Sequence, residues 1–256
     1  MERECRVLHY ECLGSGPAVV LVAGLGGIGS FWRPVMERLQ ASFTVIAFDH
    51  PGTGRSVASG RPSIEQLVTA VVTLTGTLGF ERYSVVGHST GGLVAQALAL
   101  DHAAAIDKIV LSCTWAEPDR RFRELFRLRQ EVLAKGGMSA YKTLGNLLAY
   151  PAAEYEAYAP PSAGDAARDD DAANAVVAER IDMLLTYSRA SELGRIAVPA
   201  LVVGSDDDQI VPFHHSERLA AQVPGARLVR LSGGHFPPQT RADAYTAQLR
   251  AFLESS

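Results

Sequence analysis

The chain has 256 residues, of which 47% are apolar and 20% charged, a composition that argues against disorder and supplies enough apolar material to bury a parallel sheet on both faces. Its 24 basic and 28 acidic side chains leave a formal charge of −4, which offers no field to gather nucleic acid or anionic lipid, so neither is an expected partner. No apolar run reaches the ~18 residues of a membrane span, and the opening MERECRVLHY lacks the apolar stretch of a signal peptide; a cytoplasmic location is expected.

Taken in chain order, RVLHYECLGSG reads as an antiparallel edge strand and PAVVLVAG (17–24) as a buried one. A helical pattern at 31–40 leads to FTVIAF (43–48), and a second helix at 63–78 leads to YSVVGH (83–88). A third helix at 91–102 precedes IDKIVLSC (106–113). After a long interval come PALVVGS (199–205), a helix at 213–222, ARLVRLSG (226–233) and a last helix at 240–253. The strand-like runs are continuously apolar rather than alternating, as expected where both sheet faces are covered. Strands interleaved with helices predict an α/β fold with a mostly parallel, doubly wound sheet. Cys5, Cys12 and Cys113 fall in strand-like stretches with no C-x-x-C pair and no zinc-ligand spacing, so they read as small buried hydrophobes and no metal is expected.

The alternation stops between 116 and 194, which predicts a helical insertion into a core made of 1–115 and 195–256. DRRFRELFRLRQEVLAKGG, MSAYKTLGNLLAY and ANAVVAERIDMLLTYSRASEL read as helices, and PAAEYEAYAPPSAGDAARDDDAA as a mobile loop. The first helix carries Arg120, Arg121, Arg123, Arg127 and Arg129. They read either as a solvated face or as a source of one arginine that turns under the insertion to hold a substrate carboxylate.

Gly87-His88-Ser89-Thr90-Gly91 fits G-x-S-x-G where a strand meets a helix, the context that lifts a serine hydroxyl clear of a sheet. Ser89 could instead be a plain helix cap. A nucleophilic serine needs a base and an orienting acid. His235, in the Gly/Pro-rich SGGHFPPQT after the last strand, is the best-placed base. His9, His50, His88, His102, His214 and His215 lie in or beside other elements, with His88 packed or touching the pocket. LVVGSDDDQIVP offers Asp206, Asp207 and Asp208 as acids.

With GLGG near residue 25, DHPGTGRS (49–56), GHSTGG (87–92), GSDDDQIVP (204–212) and GGH (233–235), the chain resembles the α/β-hydrolases over nearly its whole length, in their chain order Ser, Asp, His. Within them it looks most like the aminoacrylate hydrolases of pyrimidine breakdown and the 3-oxoadipate enol-lactonases, which handle small carboxylate-bearing substrates. The resemblance implies the N–H groups of Leu25 and Thr90 as oxyanion donors and no cofactor. Counted forward from Gly204 the acid falls on Asp207, and counted back from Pro212 on Asp208; DQIVP is the better-matching half and favours Asp208. The function expected is a serine hydrolase acting on a small ester, lactone or amide-like carbonyl. Hydrolytic C–C cleavage of a keto-dienoate and a non-catalytic ligand receptor are the alternatives. The inserted helices are expected to form a lid over Ser89, with Trp32 and Trp115 as apolar pocket walls.

Overall fold

A computed structural model describes residues 2–5, 8–158 and 171–255. Its sheet has eight strands among these residues: β1 Glu2–Cys5, β2 Leu8–Leu13, β3 Ala18–Val22, β4 Thr44–Phe48, β5 Tyr83–His88, β6 Ile106–Ser112, β7 Ala200–Ser205 and β8 Arg227–Leu231. Their order across the sheet is β1-β2-β4-β3-β5-β6-β7-β8. From β4 to β8 neighbouring strands are parallel, while β1, β2 and β4 pair antiparallel. The doubly wound reading therefore holds, with one correction. RVLHYECLGSG contributes the second strand rather than the edge, because β1 pairs outside it with Glu4 opposite His9. The polar EREC carries no apolar run that would announce a strand. The side chain of Cys5 lies outside the described residues, whereas Cys113 is fully buried at the end of β6.

The helices are α1 Arg33–Leu39, α2 Ile64–Leu78, α3 Thr90–Asp101, α4 Arg120–Ala149, α5 Tyr155–Tyr158, α6 Asp171–Thr186, α7 His214–Gln222, α8 Pro237–Thr240 and α9 Ala242–Leu253. Alternate strand residues feed two cores. Val20, Val22, Val85, Ile109 and Leu111 pack with α2 and α3, while Val19, Leu21, Val86, Val110 and Val203 pack with α1 and α9. That division explains the unbroken apolar runs, since side chains two apart share a face and both faces are covered. α3 is buried along almost its whole length, which is why its sequence shows little amphipathic contrast.

Between β6 and β7 the described residues form α4, α5 and α6. α4 bends at Gly137, whose φ of 71° and ψ of −175° are closed to residues with a Cβ; the break falls where the sequence predicts one helix to end and another to begin. Of the stretch read as a mobile loop, 152–158 forms a helical turn and the short α5, and 159–170 lie outside the described residues.

From β3 the chain crosses to β4 on one side and then returns to β5 on the other. The carboxyl ends of β3 and β5 therefore flank a point where the winding reverses, the place where open α/β sheets form a crevice.

Candidate functional site

Ser89 follows β5 directly and opens α3 with φ 53° and ψ −116°, a strained setting for a residue with a side chain. Close packing enforces it. A Cβ on Gly91 would run into the carbonyl oxygen of Val22, and one on Gly87 into that of Gly91. The Ser89 amide donates to the Ser112 carbonyl at 2.8 Å, and the Gly92 amide donates back to the Ser89 carbonyl at 2.9 Å. Although Ser89 occupies the cap position, its side chain makes no capping bond. Its Oγ instead lies 3.1 Å from His235 Nε2.

His235 Nδ1 lies 2.7 Å from Asp208 Oδ2. Asp208 is buried, and its other oxygen accepts from the Ile210 and Val211 amides at 2.8 Å each. Those bonds hold the carboxylate in place with one oxygen turned to the ring. This arrangement fixes the proton on Nδ1 and leaves the Nε2 lone pair toward Ser89. Asp207 points elsewhere, since its Oδ1 accepts from Ser205 Oγ at 2.7 Å and from the Gly233 and Gly234 amides at 2.9 Å each. Burial raises its pKa, but these three donors outweigh that and leave it below the ordinary aspartate value. Each acid thus holds the His235 loop, Asp208 by the ring and Asp207 by the backbone. The His235 amide also donates to the Ala149 carbonyl at the end of α4, at 2.7 Å.

Gly24 and Leu25 follow β3 beside this serine, where a Cβ on Gly24 would come 3.2 Å from Ser89 Cβ. Leu25 and Thr90 line one small cavity with His50, Gln66, Met183 and Arg180. Arg180, on α6, donates to the Leu25 and Pro51 carbonyls at 3.0 Å each. It is 5% exposed, and burial draws its pKa down to about 10, so it stays charged at neutral pH. Burial, and then the Arg180 charge, lower His50 to about 3, so that imidazole is neutral. Among the described residues, Arg180 Nε, His50 Nε2 and Thr90 Oγ1 are buried without a hydrogen-bond partner.

The other predicted positions are more scattered. His88 is buried under His235 with ring centroids 4.9 Å apart, and its Nδ1 lies 3.3 Å from Ser112 Oγ. Burial, and then the neighbouring His235, hold its pKa well below the ordinary value. Trp32 and Trp115 are fully buried, Trp32 against Phe31 and Tyr245 and Trp115 against Phe122. Neither lines the cavity beside Thr90. Aromatic bulk favours the packed core over a cavity wall.

On α4, Arg120 pairs with Glu124, Arg121 donates to the Gln209 carbonyl, Arg123 to that of Leu185, and Arg127 is exposed. Only Arg129 of the five is buried, with its guanidinium over the Phe126 and Tyr141 rings. Arg180 was not singled out by sequence, yet a signal exists. Val177, Arg180 and Leu184 share one helical stripe, as do Phe122, Phe126, Arg129 and Leu133, and a cation at a stripe position marks a buried charge.

Comparison with known proteins adds four findings. The family described as alpha/beta hydrolase fold matches residues 17–240. The chain is 36% identical to a Caulobacter sp. (strain K31) protein named carbamate hydrolase RutD, over 96% of this chain and 95% of that one. It is 32% identical to a relative of the same name from Agrobacterium fabrum, over 96% and 98%. Among solved structures, the enol-lactonase from Burkholderia xenovorans LB400 superposes with a TM-score of 0.83 at 28% identity, covering 97% of this chain and 96% of that one.

Proposed function

Because the chain belongs to the alpha/beta hydrolase fold family and is a hydrolase, we propose that Ser89, His235 and Asp208 form its catalytic triad and act on a small carbamate- or amide-like carbonyl compound that carries a carboxylate. One observation carries this reading: an unbroken hydrogen-bonded chain from Ser89 Oγ through His235 to a buried Asp208, opening beside a cavity that holds unpaired polar atoms and a buried arginine that pairs with no carboxylate among the described residues.

In the proposed reaction His235 Nε2 takes the Ser89 proton as Oγ attacks the carbonyl carbon. The tetrahedral oxyanion is held by the amides of Leu25 and Thr90, of which Thr90 stands in the first turn of α3 with the positive end of the helix dipole behind it. Collapse expels the leaving amine or alcohol with the proton from His235, and water then repeats the sequence on the acyl-enzyme. A buried arginine without a carboxylate partner is costly unless something anionic shares its site. Arg180 therefore serves as the carboxylate anchor. Arg129 lies over the Tyr141 ring, and burial raises the Tyr141 pKa while the charges of Arg129 and Arg180 oppose that rise. The relatives named carbamate hydrolase point to the same class of carbonyl.

The test combines labelling and kinetics. A fluorophosphonate should label the wild type and leave Ser89→Ala untouched. A panel of carbamates, amides, esters and lactones, each with and without a carboxylate, should show the highest kcat/KM on an anionic carbamate or amide. Turnover of a keto-dienoate in preference to all of these would overturn the reading in favour of C–C cleavage. The same panel run on Arg180→Gln should raise KM for anionic substrates by about tenfold or more, since a charge-assisted hydrogen bond contributes about 1.5–3 kcal/mol, and leave neutral esters nearly unchanged.

A further inference from the structure

Away from Ser89, Asp119 caps the N-terminus of α4 and faces the first turn of α7. His214 Nε2 lies 2.9 Å from Asp119 Oδ2, and His215 Nε2 lies 3.4 Å from the same oxygen. All three candidate donor atoms fall within 4.8 Å of one another. We propose that Asp119, His214 and His215 form a binding site for a divalent zinc-like cation, with the fourth position open to water.

Three observations support the assignment. First, the spacing is close to that of a metal site: metal–ligand bonds of about 2.0–2.2 Å in a tetrahedral site set neighbouring donors about 3.3–3.6 Å apart, the 3.4 Å of His215 to Asp119 falls in that range, and the 2.9 Å of His214 lies a little under it. Second, two imidazole nitrogens and one carboxylate oxygen are a donor set suited to zinc and unsuited to magnesium or calcium. Third, the carboxylate is oriented by a bond outside the cluster, because its other oxygen accepts from the Phe122 amide at 2.8 Å. His215 is buried while the His214 side chain is 42% exposed, which leaves a path for entry from solvent. The linear sequence hides this set, since Asp119 and His214 are 95 positions apart.

A cation here would cross-link the root of the inserted helices to the segment that follows Asp208. The inference is independent of the role given to Ser89. It is tested on tag-free, chelator-treated full-length protein titrated with Zn2+, and with Co2+ as a coloured substitute. One ion per chain is expected, with visible absorption of the cobalt form at the strength of a four- or five-coordinate site and a rise in Tm. Asp119→Asn keeps a good helix cap and His214→Ala changes a partly exposed side chain, so both should fold. Each should weaken binding by at least about tenfold and abolish the Tm rise, while His235→Ala leaves both intact. Absence of binding, or binding that Asp119→Asn and His214→Ala leave unchanged, overturns the proposal and reduces the cluster to a hydrogen-bonded cap.

Discussion

At the scale of single residues, two adjacent aspartates do different work. Asp208 contacts the His235 ring and Asp207 the backbone that carries it. Asp208→Asn should lower kcat by about 10⁴, because an amide cannot fix the Nδ1–H tautomer or stabilise the imidazolium. Asp207→Asn should cost stability more than turnover. The folded pKa of Asp207 lies below its ordinary value of 3.8, so its carboxylate contributes stability that is complete above that pH and is lost as pH falls through the folded value. The Tm difference between wild type and Asp207→Asn should therefore shrink as pH is taken below 3.8, and a difference that stays constant there would show that the charge plays no part. Ser89→Ala should abolish turnover and keep Tm near that of the wild type, because the change removes the proposed nucleophile but little packing.

At the scale of elements, the β5–α3 turn and the bend in α4 both depend on backbone geometry. Gly91 lies against the Val22 carbonyl, so Gly91→Ala must push β3 and α3 apart, and a loss of several kcal/mol in a denaturant titration is expected. A strained backbone like that of Gly137 costs about 1–3 kcal/mol for a residue with a Cβ. Gly137→Ala should show that loss together with a higher KM for anionic substrates, because the bend sets Arg129 on one half of α4 against Tyr141 on the other. A stability loss with unchanged KM would separate the bend from the pocket.

Across the whole molecule, the central strands are covered on both faces, while α6 reaches the sheet's loops through the two carbonyls that Arg180 binds. Amide exchange should thus be slowest in β3 and β5 and faster in α6. Arg180→Gln should quicken exchange in α6 and spare β5. Uniform slow exchange throughout would mean that the inserted helices open only with the entire fold. None of the described helices is long and apolar enough to cross a membrane, in line with the absence of any long apolar run in the sequence.

Local signals carried the fold and the groups proposed to react. Unbroken apolar runs such as VVLV and VIAF marked strands covered on both faces, and the glycines around Ser89 marked a turn too tight for side chains, because these features depend on neighbours a few positions away. Chain order also brought Ser89, His235 and the DDD run into view. The choice between Asp207 and Asp208 lay beyond the sequence except through the matching of DQIVP, since it depends on which carboxylate faces a ring 27 positions later. β1 and the cluster of Asp119 with His214 and His215 were decided by tertiary structure alone, whereas the stripe position of Arg180 marked a buried charge and only the fold placed it beside Leu25 and Pro51. A polar strand forms only against its partner, and a buried cation or a converging donor set exists only once distant segments are packed together, at distances that no sequence spacing encodes.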